Sequence, residues 1–366
     1  MPENSPAAVM VASRKLELQE FPVPDVGSDD GLLRMECVGV CGSDWSFYLG
    51  DGARIGAKFP FVLGHENIGI LEKVGKEAAH RWKVTEGDRV AIEEPIPCGR
   101  CRYCLGGRYL RCDENRRYGS HVQTTVAPGL WGGCSHYMYL HPNSMVYKVP
   151  AGVSPAEASF YLPIANGIRW IQQIAGSGSG DTIVIQGPGQ QGLGCVIGAK
   201  EAGLSCIIVS GLKRDAKRLE TARALGADYT VCVEEEDLVA RVEEITGGRM
   251  ADVVVDVSHG ATQPVVTALR LVKKCGGRII LAGAKHKPVP EFPTDEILFR
   301  EITITGVRGH DFRSIEPALQ IIASHKYPVH LLGTHHFSLR ETEEAVLTVG
   351  GQGKPDAIHV TILPWT

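Results

Sequence analysis

Asp181-Thr-Ile-Val-Ile-Gln-Gly187-Pro-Gly189-Gln-Gln-Gly192 is the stretch that decides the fold, and an apolar segment continues it to Gly203. A short β-branched run opens into a glycine turn and then into a helix-compatible segment, the order that places a pyrophosphate on a helix N-terminus. The first glycine permits the tight turn, the second lets the backbone approach phosphate, and the third lets helix and strand pack closely. The pattern predicts a dinucleotide site. The predicted cofactor contacts in this turn are Gly187, Gly189, Gln190, Gln191 and Gly192.

The sequence that follows Gly192 supports this interpretation, which the glycines alone would leave open because any glycine-containing strand-to-helix turn can imitate them. Apolar runs and helical patterns alternate: apolar 206–210, helical 215–225, apolar 251–257, helical 262–274 and apolar 278–282. Such a βαβ series with right-handed crossovers makes a parallel sheet covered on both faces. We therefore expect a doubly wound α/β domain in the middle of the chain.

Length and composition narrow the class of function. A chain of 366 residues is expected to form about two domains. The formal net charge is −4 and the cations are scattered, which argues against nucleic acid or an anionic membrane as partner and favours a small-molecule substrate. Eleven cysteines, an odd number that includes a cluster at metal-like spacing, indicate reduced cytosol rather than a secreted disulfide framework. The N-terminus lacks a secretory pattern and no apolar run reaches about 18 residues, so we expect a cytoplasmic protein.

Residues 7 to about 150 have the character of a compact, mostly β domain, with short extended runs between Gly/Pro-rich turns. Cys41 and Ser43 lie within a Gly-Val-Cys-Gly-Ser-Asp run, and His65 and Glu66 follow Gly64. A thiolate, an imidazole and a carboxylate from such separate positions can converge on one zinc ion and leave a coordination position open for substrate. Taken singly, each residue also has a purely structural explanation as a buried thiol or a satisfied polar group.

A second cysteine cluster is more specific. Its members are Cys98, Cys101, Cys104 and Cys112, in a segment rich in turn residues and charges. Four thiolates within one short loop are typical of a closed, tetrahedral structural zinc site. An iron–sulfur cluster uses similar ligands, but the last spacing does not match the usual ferredoxin runs and the loop lacks apolar cover.

Together these motifs resemble the zinc-containing medium-chain alcohol dehydrogenase family, and within it the polyol and sorbitol dehydrogenase-like branch. The similarity spans nearly the whole chain, with the motifs in the family's order and spacing. It implies an α/β fold: a GroES-like, mostly-β catalytic domain over residues 1–154, to which residues 301–366 return, and an inserted Rossmann domain over residues 155–300. It also implies a homodimer or homotetramer that acts on an alcohol, a polyol or the matching carbonyl compound.

The resemblance also implies roles for individual residues. Cys41 and His65, with Glu66, would hold a catalytic zinc ion, and Ser43 would hydrogen-bond the substrate oxygen and move its proton. An alcohol gives up hydride readily only as an alkoxide, and a bound divalent cation stabilises that anion. The nicotinamide ring of NAD or NADP would accept the hydride.

Two departures from the family pattern concern this catalytic site. A further zinc ligand, Cys or Glu, precedes the proline of the interdomain helix in the family, whereas this chain has Leu162 before Pro163. Since leucine cannot coordinate a metal, either Glu66 coordinates the zinc ion directly, or the ion is held more weakly, or it is lost. A histidine that often relays the proton is replaced by Ser46, which leaves a water-linked hydroxyl chain as the route.

A third departure concerns the cofactor. Folds that prefer NAD carry an acidic residue about 20 residues beyond the glycines, where it holds the ribose hydroxyls. This chain has Ser210 and Gly211 there, followed by Lys213 and Arg214. Two cations would accommodate a 2′-phosphate, which favours NADP, although an N-terminal helix cap by Asp215 explains the same segment without any ligand.

Three functions are compatible with the sequence. The first is a zinc-dependent oxidoreductase acting on a secondary alcohol, polyol or sugar-derived hydroxyl, or on the matching carbonyl. The second is a metal-independent NADPH reductase of the quinone or enoyl type, and the third is a non-catalytic dinucleotide-binding protein. Leu162 and Ser46 keep the last two open. Retention of Cys41, Ser43 and His65 together favours the first.

Overall fold

A computed structural model describes residues 2–366, and the chain in it divides into two units. The first unit runs as far as Phe160 and is completed by Gly333–Thr366. The second unit is Tyr161–Leu332. A discontinuous first unit interrupted by an inserted second one is the arrangement expected from the sequence, although its boundaries differ from residues 155 and 300.

The secondary structure mixes short strands with short helices. The strands are β1 (Asn4–Ala12), β2 (Lys15–Pro22), β3 (Gly31–Val40), β4 (Phe61–Val62), β5 (Glu66–Val74), β6 (Arg89–Ile92), β7 (Pro95–Ile96), β8 (Arg116–Arg117), β9 (Tyr137–Leu140), β10 (Val146–Lys148), β11 (Thr182–Gln186), β12 (Cys206–Gly211), β13 (Tyr229–Cys232), β14 (Val253–Asp256), β15 (Arg278–Leu281), β16 (Thr303–Gly306), β17 (Gly333–Ser338) and β18 (His359–Leu363). The α-helices are α1 (Gly42–Leu49), α2 (Lys76–Trp82), α3 (Arg102–Leu105), α4 (Pro155–Ala158), α5 (Tyr161–Ile168), α6 (Gln190–Glu201), α7 (Ala216–Ala224), α8 (Leu238–Thr246), α9 (Gln263–Leu271), α10 (Thr294–Phe299), α11 (Phe312–Ala323) and α12 (Thr342–Val349). Within residues 2–366, no helix combines the length and the apolar character needed to cross a membrane.

The first unit is built on a seven-stranded sheet. Its strands follow the order β10-β6-β5-β3-β18-β17, and β9 also pairs with β3. A three-stranded sheet, β2-β1-β4, and the small pair β7-β8 complete the unit. Apolar side chains of the large sheet share one core with Phe47 of α1, Val346 of α12 and Phe61 of β4. The central strand β3 thus lies between β5, from early in the chain, and β18, from its very end.

The second unit contains the predicted parallel sheet, which is confirmed. Its six strands are all parallel, in the order β13-β12-β11-β14-β15-β16. β14 is buried at every position, as expected for a strand covered on both faces. The order reverses between β11 and β14, and ligands of such sheets bind outside the carboxyl ends of the strands at this reversal. The glycine turn follows β11 directly and therefore lies at the reversal.

Helix α6 is placed by glycines as well as by apolar contacts. A Cβ on Gly194 would clash with the Pro163 carbonyl oxygen of α5, and one on Gly167 of α5 would clash with the Gly194 carbonyl. Only residues without side chains allow two helix backbones to approach this closely. The close contact of α5 with α6 fixes the helix whose N-terminus follows the glycine turn.

Residues 301–332 lie in the second unit, although the sequence analysis had them returning to the first. β16 continues the parallel sheet through its pairing with β15, and α11 packs against α5 within the same unit. The physical reason is the ladder itself, since pairing of β16 with β15 satisfies backbone donors and acceptors of both strands. Only Gly333–Thr366 completes the first unit, where β18 pairs with β3.

Candidate metal and cofactor sites

The first candidate metal site lies where β3 ends and β5 begins. β3 ends at Val40, and the next residue, Cys41, is the N-cap of α1. β5 runs antiparallel to β3, with Glu66 opposite Gly39. Cys41 and Glu66 are therefore neighbours through strand register, and His65 immediately precedes β5.

Three side chains converge at this point. Cys41 Sγ lies 3.3 Å from His65 Nε2 and 2.8 Å from Ser43 Oγ, and Ser43 Oγ lies 3.1 Å from His65 Nε2. One ligand atom each of Cys41, His65 and Glu66 falls within a group whose members are all within 4.8 Å of one another. The structure thus brings together Cys41, Ser43, His65 and Glu66, four of the five residues that the sequence analysis proposed for catalysis.

Asp44 belongs to the same site, although the sequence analysis gave it no role. The backbone N–H of Cys41 donates to Asp44 Oδ2 at 2.9 Å. Asp44 Oδ1 lies 3.2 Å from His65 Nδ1, an ion-pair distance, although the two atoms do not align as a hydrogen bond. A carboxylate behind the second ring nitrogen is the usual support of a metal-binding histidine, and it leaves Nε2 to face the metal. The signal was the Cys-Gly-Ser-Asp spacing, since Asp44 is three residues after Cys41.

Burial raises the free-energy cost of negative charge on this group of side chains, and a bound cation would offset that cost. Burial raises the pKa of the Cys41 thiol to about 11 and that of Glu66 to about 7. Burial acts to lower the pKa of His65, but the charges of Asp44 and Cys41 outweigh it and hold that pKa well above its ordinary value.

Glu66 gives the clearest test of whether a metal ion fits. The residue is fully buried, and neither carboxylate oxygen has a hydrogen-bond partner among residues 2–366. A buried carboxylate with no partner costs more than about 1–3 kcal/mol, so such groups normally pair or coordinate a metal. Thiolate, imidazole and carboxylate are the ligands that zinc prefers, and three protein ligands with one open position are typical of catalytic zinc. The residues present therefore fit a zinc ion.

Ser46 and Leu162 do not add to this group of ligands. The Ser46 hydroxyl donates to the Gly42 carbonyl oxygen at 3.2 Å, a local bond within α1. Leu162 is 7% exposed on α5 of the second unit and carries no donor atom. With no ligand from position 162, the candidate ligands at the first site are Cys41, His65 and Glu66.

The second candidate metal site is the four-cysteine lobe, residues 98–112. The sulfur atoms of the four cysteines all lie within 4.8 Å of one another. Backbone amides already point at these sulfurs, as Cys98 N–H donates to Cys112 Sγ at 3.3 Å and Cys101 N–H to Cys98 Sγ at 3.4 Å. Four thiolates would occupy all four coordination positions of a tetrahedral zinc ion and leave none open for substrate.

Two carboxylates, the buried Glu93 and the partly buried Glu94, fasten this lobe to the first unit. The Tyr109 hydroxyl donates to Glu93 Oε1 at 2.8 Å. Arg117, which is 5% exposed, donates to Glu94 Oε1 at 3.0 Å and to the Leu110 carbonyl at 2.6 Å. The lobe is therefore anchored through its C-terminal half.

The glycine turn of the second unit forms a cradle for a pyrophosphate. Gly187 has a φ of 108°, which favours glycine, and a Cβ on Gly192 would clash with the Gly187 carbonyl oxygen. A Cβ on Gly189, the N-cap of α6, would meet nothing within 4 Å. Gly187 thus allows the tight turn, Gly189 leaves space for a phosphate to approach, and Gly192 allows close packing, as a dinucleotide site requires. The Gln191 side chain accepts a hydrogen bond from Asn166 at 2.8 Å.

The carboxyl end of β12 lacks an acidic side chain for a ribose. Ser210 and Gly211 end the strand buried, and a Cβ on Gly211 would come within 2.8 Å of the Pro188 ring. Asp215 is buried and used locally, because it accepts from Leu212 N–H at 3.1 Å and from Arg218 at 2.8 Å. Asp215 stands at the N-cap position of α7, but its side chain makes no capping hydrogen bond to that helix, so the helix-cap explanation is not confirmed.

Lys213 and Arg214 are both exposed beyond this strand, but their surroundings differ. Lys213 Nζ lies 3.5 Å from Glu235, and its backbone N–H donates to Glu234 at 2.6 Å. These acidic neighbours offset the positive charge of Lys213, so Arg214 is the stronger candidate to meet a phosphate.

Comparison with known proteins agrees with this geometry. Residues 27–151 match the model of the alcohol dehydrogenase GroES-like domain, and residues 192–324 match that of the zinc-binding dehydrogenase domain. The first match contains both candidate metal sites, and the second begins at Gly192 of the glycine turn.

Similar proteins of nearly equal length share this architecture. The chain is 37% identical to a protein named probable alcohol dehydrogenase from Mycobacterium tuberculosis, over 98% of each chain. It is 33% identical to a sorbitol dehydrogenase of Bombyx mori, over 98% of this chain and 99% of the other. A crystal structure of an alcohol dehydrogenase from Thermotoga maritima superposes with a TM-score of 0.88, at 25% identity over 99% of each chain. A protein named putative zinc-binding dehydrogenase from Sinorhizobium meliloti, bound to NADP, superposes with a TM-score of 0.86, at 25% identity over 99% of this chain and 100% of the other. The chain therefore belongs to the zinc-containing medium-chain alcohol dehydrogenase family of oxidoreductases.

Proposed function

We propose that this protein transfers a hydride between a nicotinamide dinucleotide and a secondary alcohol, a polyol or a sugar-derived hydroxyl, or reduces the matching carbonyl compound. The observation that carries the proposal is the convergence of Cys41, His65 and the unpartnered carboxylate of Glu66 around one point, with the Ser43 hydroxyl beside them. Relatives named sorbitol dehydrogenase support a polyol as the substrate class.

Each residue of the first metal site has a distinct task in this proposal. Cys41, His65 and Glu66 hold the metal, and Asp44 orients His65 from behind. A zinc ion held there would supply Lewis-acid stabilisation of negative charge on a substrate oxygen. No catalytic zinc site of this kind is expected in a metal-independent quinone or enoyl reductase, so the cluster favours the alcohol dehydrogenase reaction.

Ser43 is the group proposed to take the proton from the substrate hydroxyl. Its side chain is only partly buried, and its oxygen lies within 3.1 Å of both Cys41 Sγ and His65 Nε2. It can therefore face both the metal site and water. Ser46 is less suited to the next step of a relay, because its hydroxyl already donates to the Gly42 carbonyl. We propose that water takes the proton from Ser43.

The cofactor site is proposed to use the glycine cradle and the end of β12. The backbone N–H groups at the start of α6 would bind the pyrophosphate, and the open space at Gly189 would admit it. Arg214 and, more weakly, Lys213 would favour the 2′-phosphate of NADP. The nicotinamide ring, once bound, would accept or supply the hydride.

Assembly and location complete the proposal. We propose a homodimer or homotetramer, as the family resemblance implies. The reduced thiols that the four-cysteine lobe requires favour the cytoplasm.

The test is a screen of the purified protein for NAD- and NADP-linked turnover of alcohols, polyols and carbonyl compounds, with zinc content measured on the same sample. We expect turnover of at least one vicinal diol or polyol, with loss of that turnover in Ser43→Ala and in Cys41→Ser. Turnover that survives Cys41→Ser unchanged would exclude the proposed zinc chemistry. Ser43→Thr, which keeps the hydroxyl, is the matched control for Ser43→Ala.

A further inference from the structure

Glu66 is supported on the side that faces the C-terminal strand. Its carboxylate leans over Gly39, since Glu66 Oε2 lies less than 3.0 Å from the position that a Cβ of Gly39 would take. The Cε1 atom of His359 lies 3.0 Å from that same position. The carboxylate and the imidazole therefore approach the same point above Gly39, the carboxylate from β5 and the imidazole from β18.

The His359 ring is fixed by its own contacts. It is fully buried, and its Nε2 lies 2.9 Å from Ser159 Oγ. The Ser159 hydroxyl donates its one hydrogen to the Ala156 carbonyl at 2.7 Å, so Nε2–H is the donor to Ser159. The Phe160 ring packs against the imidazole, with centroids 4.3 Å apart. The imidazole is thus held in one orientation beside Glu66.

We propose that His359 is a positioning residue for the metal site, which, together with Ser159, confines the Glu66 carboxylate so that it serves as the third zinc ligand. This inference rests on the zinc site of the proposed function. A glutamate side chain loses rotamer freedom when it binds a metal, and a wall that restricts it beforehand reduces that cost. Outer groups that orient a ligand typically change metal affinity by about 10–100-fold.

The arrangement gives the C-terminal tail a specific task. β3 carries Gly39 between Glu66 of β5 and Thr361 of β18, which pair with it on opposite sides. His359 begins β18 and reaches the metal site only when that pairing forms. The returning strand therefore supplies a wall for a ligand that lies 293 residues earlier in the sequence.

The experiment measures zinc affinity of the first site in His359→Ala, Ser159→Ala and Glu66→Gln, and in the double variants that combine each of the first two with Glu66→Gln. Zinc per chain is determined at buffered free zinc concentrations, and the visible absorption of the cobalt-substituted protein reports the ligand set independently of activity. His80→Ala, an exposed histidine on α2, is the matched control. Thermal unfolding reports whether each variant keeps the fold.

We expect His359→Ala to weaken first-site zinc binding by about tenfold or more, with a cobalt spectrum that shifts toward that of Glu66→Gln. Ser159→Ala, which keeps the ring, should change affinity in the same direction by less. Neither change should weaken zinc binding further once Glu66 is glutamine, because both act through the carboxylate. His80→Ala should bind zinc as the parent does.

Parent-like zinc affinity and cobalt spectrum in His359→Ala would overturn the inference, as would an equal loss of zinc in the Glu66→Gln background. If His359→Ala does not fold, Ser159→Ala with and without Glu66→Gln decides by the same comparison. A parent protein that binds zinc only in the four-cysteine lobe would overturn the proposed function itself and this inference with it.

Discussion

Glu66 and Gly39 lie opposite each other across the β3–β5 pair, and the Glu66 Oε2 atom occupies the space where any other residue at position 39 would carry its Cβ. The Glu66 carboxylate can thus turn toward Cys41 and His65 only because position 39 is a glycine. The metal site depends on strand register as much as on its ligands.

Gly39→Ala should therefore damage the first metal site. The new methyl group would push the carboxylate away from the other ligands, and we expect zinc affinity to fall about tenfold or more, as for loss of a ligand's support. Zinc per chain and the cobalt spectrum measure this change. Gly42→Ala is the matched control, because a Cβ there meets nothing within 4 Å. A Gly39→Ala protein with parent-like zinc affinity would refute this role of Gly39.

Cys101→Ser should lower stability more than turnover per folded molecule. The four-cysteine lobe holds a structural zinc ion in our account, and loss of one thiolate weakens a closed tetrahedral site. We expect the unfolding temperature to drop by about 5 °C or more, which corresponds to roughly 2 kcal/mol at about 2–4 °C per kcal/mol. Cys275→Ser, which changes an exposed free cysteine outside the lobe, should leave it unchanged. A fully stable, zinc-free Cys101→Ser protein would contradict the structural assignment.

Substitutions of the cradle glycines should affect cofactor binding and fold stability to different degrees. Gly189→Ala places a methyl group in open space, so we expect parent-like stability but about tenfold weaker binding of the reduced cofactor, or about 1.4 kcal/mol. Gly192→Ala should lose stability as well, because its methyl group clashes with the Gly187 carbonyl. Quenching of protein fluorescence gives the dissociation constant. Gly178→Ala, also with open space at its Cβ, serves as control, and unchanged cofactor binding in Gly189→Ala would argue against this phosphate cradle.

Replacing Lys213 and Arg214 with glutamine should raise the KM for NADP by about tenfold and leave the KM for NAD within about twofold, since a phosphate contact contributes roughly 1–2 kcal/mol. Arg214→Gln alone should produce most of the change, because Glu234 and Glu235 surround Lys213. A double change of Lys217 and Arg223, exposed cations on α7, removes the same charge elsewhere and is the control. A parent protein that strongly prefers NAD would show that the Ser210-Gly211 turn does not select the cofactor.

Much of the fold could be predicted because its signals are local. The alternation of apolar and helical patterns indicates a parallel sheet within windows of about ten residues, and the cysteine spacing of the lobe lies within one loop. The assignment of residues 301–332 could not be made in this way, since nothing in a short apolar run such as 303–306 states which sheet it joins. Pairing of β16 with β15 decides that.

In the candidate site, too, the residues with local sequence signals could be predicted and those placed by long-range strand pairing could not. Cys41, His65 and Glu66 were identified from motifs within a few residues of one another and from a family resemblance. His359 was missed because its place beside Glu66 arises from the pairing of β18 with β3, a contact between the two ends of the sequence. Leu162 marks a missing ligand in the sequence, which left three outcomes open, and direct coordination by Glu66 was one of them; the unpartnered carboxylate of Glu66 favours that outcome.

The most direct test of the central claim is graded removal of zinc, with metal content and nicotinamide-linked alcohol oxidation followed on the same samples. The account predicts about two zinc ions per chain at the start, one for each cluster. Mild chelation should remove the ion held by Cys41, His65 and Glu66 first, because four thiolates hold the other more strongly. Activity should fall in proportion to this first equivalent and return when zinc is restored, while about one zinc ion per chain stays bound. Full activity after loss of the first equivalent would contradict the account.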